Sequence, residues 1–178
     1  MHVLIAYGTT EGQTGKIAEW AARYIRKRGH AVELYDSKDP ASKLDLNEFQ
    51  VFVVAASVHQ EQHQGPIKNF ATAHREILNT RPSAFISVSL SAVLDDTRPE
   101  AQKYVDRFIA LTGWQPHMAL LLGGALRFTE YDYFQEQIVK FIVMKRGIAS
   151  SAGLDREFTD WNVLAGFLDE FLQTAVAG

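Results

Sequence analysis

The residues with most chemistry in them stand near the start of the chain. Gly8-Thr9-Thr10-Glu11-Gly12-Gln13-Thr14-Gly15 joins a short apolar run, Val3 to Tyr7, to a segment whose apolar residues recur at helical spacing. Small residues let a backbone come close to a ligand, the first N–H groups of a helix have no intrahelical acceptor, and threonine hydroxyls add donors. Together they make a cradle for a phosphate. The loop has neither the Gly-x-x-x-x-Gly-Lys-Ser/Thr of nucleoside triphosphate sites nor the Gly-x-Gly-x-x-Gly of dinucleotide sites, so a terminal monophosphate suits it best. The same residue types also serve a helix that binds nothing, as a cap and a tight turn.

Other chemistry is thinner. His59 and His63 are four apart, a spacing that on a helix puts two imidazoles on one metal, but no third ligand is evident. They read as loop histidines facing solvent or a cofactor edge, and no metal site is assigned. No Gly-x-Ser-x-Gly elbow occurs, so Ser57, Ser87, Ser89 and Ser91 read as loop donors and not as nucleophiles. Cysteine is absent, which removes disulfides, thiol catalysis, cysteine-ligated zinc and iron–sulfur clusters together. Redox chemistry here requires a bound organic cofactor, and no side chain is assigned a catalytic acid or base role.

These residues need elements to hold them. The chain has 178 residues, 47% hydrophobic and 22% charged, which suits one globular domain over 1–178. Val3-Leu4-Ile5-Ala6-Tyr7, His30-Ala31-Val32-Glu33-Leu34-Tyr35, Val51 to Ala56, Ala84 to Ser89 and His117 to Leu122 read as five strands, the third apolar throughout as a central strand should be. Between them lie helices marked by Ile17, Trp20, Ala21, Tyr24 and Ile25 before Gly29, by Pro66, Ile67, Phe70, Ala71 and His74, and by Tyr104, Phe108, Ile109 and Leu111 before Gly113. Thr97-Arg98-Pro99-Glu100 has the form of a capping box, and Thr159-Asp160-Trp161 offers a cap for a last helix bearing Leu164, Phe167, Leu168 and Phe171. The alternation predicts an α/β three-layer sandwich: a five-stranded parallel sheet of order 2-1-3-4-5, helices on both faces and the ligand at its carboxyl edge. Residues 126–158 exceed that plan and read as an inserted helical segment before the last helix.

The net charge of −3 and a longest cationic run of only Arg26-Lys27-Arg28, suited to a helix C-terminus, give no nucleic-acid footprint. The start Met1-His2-Val3 has no signal-peptide character and no apolar run approaches about 18 residues, so cytoplasmic residence is expected.

The strand, Thr-Thr-x-Gly-Gln-Thr loop and helix resemble the FMN phosphate loop of the flavodoxin superfamily. Ala56-Ser57-Val58, Pro82-Ser83-Ala84-Phe85 with Ser87-Val88, Gly124 to Phe128 and Thr159-Asp160-Trp161 follow in an order similar to the bacterial menaquinone-dependent protoporphyrinogen dehydrogenase family, which also carries an insertion after its fifth strand. The resemblance spans almost the whole chain. It implies a flavodoxin-like fold and an FMN-dependent oxidoreductase that passes substrate hydrogen through FMN to a quinone. By the same resemblance Thr9, Thr10, Glu11, Gly12, Gln13 and Thr14 hold the phosphate, Ser57, Val58 and His59 flank the flavin ring, and Ser89, Leu90, Ser91 and Ala92 approach its other side and pyrimidine edge.

This chain departs from the pattern in two places. His59-Gln60-Glu61-Gln62-His63-Gln64 lacks the aromatic residue and the glycine often found after the third strand. Arg127 to Phe134 carries Glu130 and Asp132 where that family is strongly basic and aromatic. Within the insertion Tyr131, Phe134, Ile138, Phe141 and Ile142 recur at helical spacing, and Val139, Val143 and Met144 make the far side apolar too. Three readings stand: packing on the core, contact with a quinone or the inner membrane face near Lys140, Lys145 and Arg146, or a homodimer interface. An electron carrier or quinone reductase docking a redox partner protein, and an interaction or sensing protein without cofactor chemistry, remain the alternatives to porphyrinogen oxidation.

Overall fold

The computed structural model describes residues 1–39, 44–126 and 156–177. In chain order the elements are β1 (His2–Gly8), α1 (Gln13–Arg26), β2 (Ala31–Asp36), β3 (Val51–His59), β4 (Gln62–His63), α2 (Gly65–Ala73), α3 (Arg75–Thr80), β5 (Ser83–Ser89), α4 (Arg98–Thr112), β6 (Met118–Gly123), β7 (Ala125–Leu126), β8 (Arg156–Glu157) and α5 (Trp161–Ala177). Five of the strands form a parallel sheet in the order β2-β1-β3-β5-β6. The short β4 folds back antiparallel on the end of β3, off that path. The parallel strands thus keep the order 2-1-3-4-5 expected from the sequence.

Alternation along each strand feeds two helical layers. Val3 and Ile5, Val53 and Ala55, and Ile86 and Val88 pack with Ile17, Ala21 and Ile25 of α1 and Leu164, Leu168 and Phe171 of α5. The residues between them, Leu4 and Ala6, Phe52 and Val54, and Phe85, pack with Ile67 and Phe70 of α2, Leu78 of α3 and Val105 and Phe108 of α4. Cover on both faces is why these strands are apolar almost without interruption. The chain leaves β1 through α1 on one face and β3 through α2 and α3 on the other, so the loops part and a crevice opens at the carboxyl edge.

Helix ends follow the sequence with two changes. α4 stops at Gly113, whose φ of 69° is left-handed backbone that a side chain disfavours. The Arg26-Lys27-Arg28 triplet does more than face a helix dipole: Arg26 donates to Val32 O at 2.6 Å and Arg28 pairs with Asp169 of α5. The expected capping box does not form. Thr97 has φ −100° and ψ −6°, and its hydroxyl donates to Ser91 O at 2.8 Å and Leu94 O at 3.2 Å, while Glu100 turns to Ser91 Oγ at 3.4 Å. The pair braces the loop after β5 instead of the helix start. The helix expected to run through His74 breaks there, at φ −112° and ψ 16°, and resumes as α3.

His63 and Ser87 are also corrected. Pairing of β4 with β3 sets His63 opposite Val58 and turns its ring inward, where it is 4% exposed. The ring bonds Ser87 Oγ at 2.9 Å and packs against Phe85 and Phe108, with centroids 5.3 and 5.0 Å away. Neither residue faces the cleft. Burial, helped by the charge of Lys68, pushes the His63 pKa down to about 3. In the unfolded chain the imidazole takes a proton near pH 6.5, so its contribution to stability is full above that value and is lost as pH falls toward 3. His63→Gln should therefore lose less stability than the parent between pH 6.5 and 4.5, by roughly 2 kcal/mol at about 1.4 kcal/mol per pH unit. Denaturant titration of both proteins at the two pH values measures this, and parallel losses would contradict a neutral buried His63.

The inserted segment and its expected helix lie outside the described residues, save for their ends. There β7 and β8 pair antiparallel, Ala125 with Glu157 and Leu126 with Arg156, so the segment leaves and returns at one point beside the end of β6.

Candidate functional site

The carboxyl ends of β1, β3, β5 and β6 open onto a cleft. Thr9, Thr10, Glu11, Gln13 and Thr14 line it from the loop after β1 and the start of α1, Ser57, Val58 and His59 from the end of β3, Val88, Ser89 and Leu90 from the end of β5 and the residue after it, and Gly124 and Ala125 from beyond β6. Ten of the residues expected at a cofactor thus meet in one cleft, spread over three separate segments.

One end of the cleft is the first turn of a helix. Gly12 stands at the N-cap of α1 with φ 87°, a left-handed conformation that glycine adopts without strain, and its N–H donates to Thr9 Oγ1 at 2.9 Å. Gly12 shapes the turn without lining the cleft. The next N–H groups belong to the first turn of α1 and have no intrahelical acceptor, and that turn carries no acidic side chain. Thr14 is fully buried, and its hydroxyl has no hydrogen-bond partner among the described residues. Such a hydroxyl costs about 1–3 kcal/mol unless something supplies a partner. It borders the cleft beside the helix N-terminus, where a phosphate would bring acceptors to hydroxyl and N–H groups alike.

Gln13 is committed elsewhere. Its Nε2 donates to Thr159 Oγ1 at 2.9 Å, and Thr159 in turn donates to Gly123 O at 2.9 Å, tying the turn to the end of β6. Thr159 is therefore a brace, and the capping of α5 falls to Asp160, whose Oδ1 accepts from Asn162 N at 2.9 Å and Val163 N at 3.1 Å. Lys16 pairs with Glu157, which also accepts from Trp161 Nε1 at 3.0 Å. Burial pushes the Glu157 carboxyl up, but the bonds from Lys16, Gln13 and Trp161 outweigh it and hold the group below the usual range.

At the other end, β3 runs on through Ser57 to His59 and turns into β4 at Gln60 and Glu61, with φ of 49° and 61°. Left-handed backbone without glycine costs roughly 1–2 kcal/mol per residue, so this hairpin is held by its surroundings. Across the cleft, Ala92 N donates to Ser89 Oγ at 3.2 Å and Gly124 N to Ser89 O at 3.3 Å. Ala92 is buried, and Ser91 faces Glu100 and Tyr104, so both stand behind the cleft wall and not on it. Burial, with the Glu100 carboxylate nearby, pushes the Tyr104 phenol up to about 12.

Val88, Gly124 and Ala125 were not among the expected residues. Gly123-Gly124 after an apolar strand is the signal that was available: a Cβ on Gly123 would lie 2.6 Å from Phe158 O, and one on Gly124 3.2 Å from Val88 Cγ1. Among the described residues no three His, Asp or Glu side chains gather as a metal would need, and no helix is long and apolar enough to cross a membrane.

A three-layer α/β sheet of this order, with its cleft at the carboxyl edge beside the start of a helix, defines a flavodoxin-like fold. The chain belongs to the flavodoxin-domain family, whose model matches residues 4–151. It is 27% identical over 174 residues to protoporphyrinogen IX dehydrogenase [quinone] of Escherichia coli K12, covering 96% of this chain and 94% of that one. It is 27% identical over 176 residues to the protein of that name from Leishmania major, covering 98% of this chain and 76% of that one. Among solved structures, flavodoxin 1 of Bacillus cereus superposes with a TM-score of 0.51 at 17% identity over 79% of this chain and 94% of that one. Rubredoxin oxygen:oxidoreductase of Desulfovibrio gigas gives 0.51 at 13% identity, over 96% of this chain and 37% of that one. These likenesses in structure concern the fold.

Proposed function

We propose that this protein binds FMN non-covalently and uses it to move hydrogen from a porphyrinogen to a quinone. The unpartnered, buried Thr14 hydroxyl at the start of α1 carries the cofactor part of the reading: a site that leaves a donor unsatisfied is one that expects an acceptor. The relationship to the quinone-linked dehydrogenases, at 27% identity over 96% of the chain, supports the rest.

FMN, when bound, supplies the two-electron chemistry. The chain supplies position and environment. Thr9 through Thr14 would hold the phosphate by hydroxyl and backbone donors, with Gly12 giving the turn its shape. Ser57, Val58 and His59 would flank the ring on one side, and Ser89 and Leu90 on the other, with Ser91 and Ala92 keeping that loop in place. Hydrogen bonds from these backbone segments would tune the ring, and Lys16 beside the turn is paired with Glu157. No side chain is given a proton-transfer role. Residence in the cytoplasm, with contact at the inner membrane face or a homodimer through residues 126–158, completes the proposal.

A second reading, an electron carrier or quinone reductase, draws on Glu130 and Asp132, which carry the same charge as the propionate groups of a porphyrinogen. A steady-state assay of FMN-loaded protein with protoporphyrinogen IX and a menaquinone analogue separates the two. Flavin-dependent turnover of porphyrinogen is expected. Quinone reduction by other donors, with no porphyrinogen turnover, would move the protein to the second reading.

A further inference from the structure

In sequence Gln64 belongs to a polar loop with no evident duty. In the structure it holds the N-cap position of α2, at φ −60° and ψ 147°, yet its side chain does not cap the helix. It reaches between the two walls of the cleft. Thr10 N–H can only donate, so the atom it meets at 3.2 Å is the amide oxygen; that oxygen also accepts from Thr10 Oγ1 at 2.8 Å and from the Ser57 hydroxyl. The amide nitrogen then donates to Gly8 O at 3.2 Å and Ser57 O at 3.0 Å. The approach is close enough that a Cβ on Gly8 would stand 3.2 Å from the Gln64 amide nitrogen and 2.9 Å from Ile67. Gln64 itself does not line the cleft.

We infer that Gln64 is a positioning residue that couples the phosphate end of the cleft to its ring end, an inference that rests on the FMN reading above. Thr10 lies in the turn that would carry the phosphate, and Ser57 stands near the end of the strand beside the ring. One planar amide bonds to both, and its five contacts fix Thr10 relative to Ser57. A phosphate that draws on the Thr10 N–H or hydroxyl changes what the amide oxygen holds, and the same oxygen takes the Ser57 hydroxyl. Occupancy of one end thereby alters the other, and by linkage the effect is reciprocal. Two bonds to backbone carbonyls keep the amide from swinging free, so the link is stiff.

The coupling is read by taking FMN apart. Riboflavin lacks the phosphate, and inorganic phosphate lacks the ring, so the dissociation constant of riboflavin is measured by fluorescence quenching without and with saturating phosphate. In the parent protein phosphate should change riboflavin affinity about fivefold or more, within the range usual for coupled sites. In Gln64→Met, which keeps the bulk but none of the five bonds, the factor should fall to within about twofold of one while both ligands still bind. Ser57→Ala reads the same link from the ring end and should give an intermediate factor, which serves if Gln64→Met does not fold. A parent factor of one, or an unchanged factor in the variants, overturns the coupling and leaves FMN binding intact. Failure of the parent to bind FMN or riboflavin at all overturns the FMN reading, and this inference with it.

Discussion

Thr14→Val should weaken FMN binding by about 10- to 100-fold and at the same time make the unloaded protein more stable by about 1 kcal/mol. The two signs come from one atom. Without ligand the Thr14 hydroxyl is buried and has no partner, so it pays for its desolvation and receives nothing; valine has nearly the same shape and no hydroxyl. With FMN the hydroxyl would donate to a charged phosphate oxygen, a bond of roughly 1.5–3 kcal/mol that valine cannot make. Calorimetric titration with FMN and denaturant unfolding without it give the two numbers. Unchanged FMN binding together with a less stable apoprotein would mean that the hydroxyl has a partner within the protein and that the cleft does not depend on it. Riboflavin affinity should change little in the same variant, because the loss is confined to the phosphate end.

Trp114→Ala should cost about 3–5 kcal/mol of stability, a large part of the 5–15 kcal/mol typical of a domain, and leave FMN affinity within about threefold of the parent. Trp114 is fully buried between the end of α4 and the start of β6, with Phe85 at 5.5 Å and Phe108 at 6.3 Å, and its Nε1 donates to Ser83 Oγ at 3.0 Å. Ser83 opens β5, so this cluster anchors the amino edge of the sheet while the cleft lies at the carboxyl edge. Trp114→Phe keeps most of the apolar volume and should cost only about 1–2 kcal/mol, chiefly the lost hydrogen bond. Urea unfolding of the three proteins tests the ranking. A loss below about 1 kcal/mol for the alanine variant would mean the site relaxes around the gap, and a coupled loss of FMN affinity would mean the two edges are not independent.

What was legible in the sequence is what local chemistry determines. Val51 to Ala56 is apolar because both faces are covered, and the five strand runs with their helices suffice to give the sheet order. The turn from Thr9 to Thr14 is visible because glycine, threonine and a following amphipathic helix have a local reason to stand together. What was not legible depends on pairings between distant segments. His63 looks like a loop histidine until β4 folds back on β3 and sets its ring against Ser87, Phe85 and Phe108. Thr97 and Glu100 have the spacing of a capping box, but Ser91 and Leu94 offer carbonyls that the local sequence does not reveal. Gln64 carries no motif at all; its five contacts come from β1, the loop after it and β3.

The central claim is that the cleft holds FMN by its phosphate, and the most direct measurement is a comparison of FMN and riboflavin titrated into cofactor-free protein, followed by flavin fluorescence. Saturable binding of one FMN per chain, with riboflavin weaker by about 100-fold or more, is the predicted result, since the phosphate meets several donors worth roughly 1–3 kcal/mol each. Equal affinity for the two flavins, or binding of neither, would contradict it.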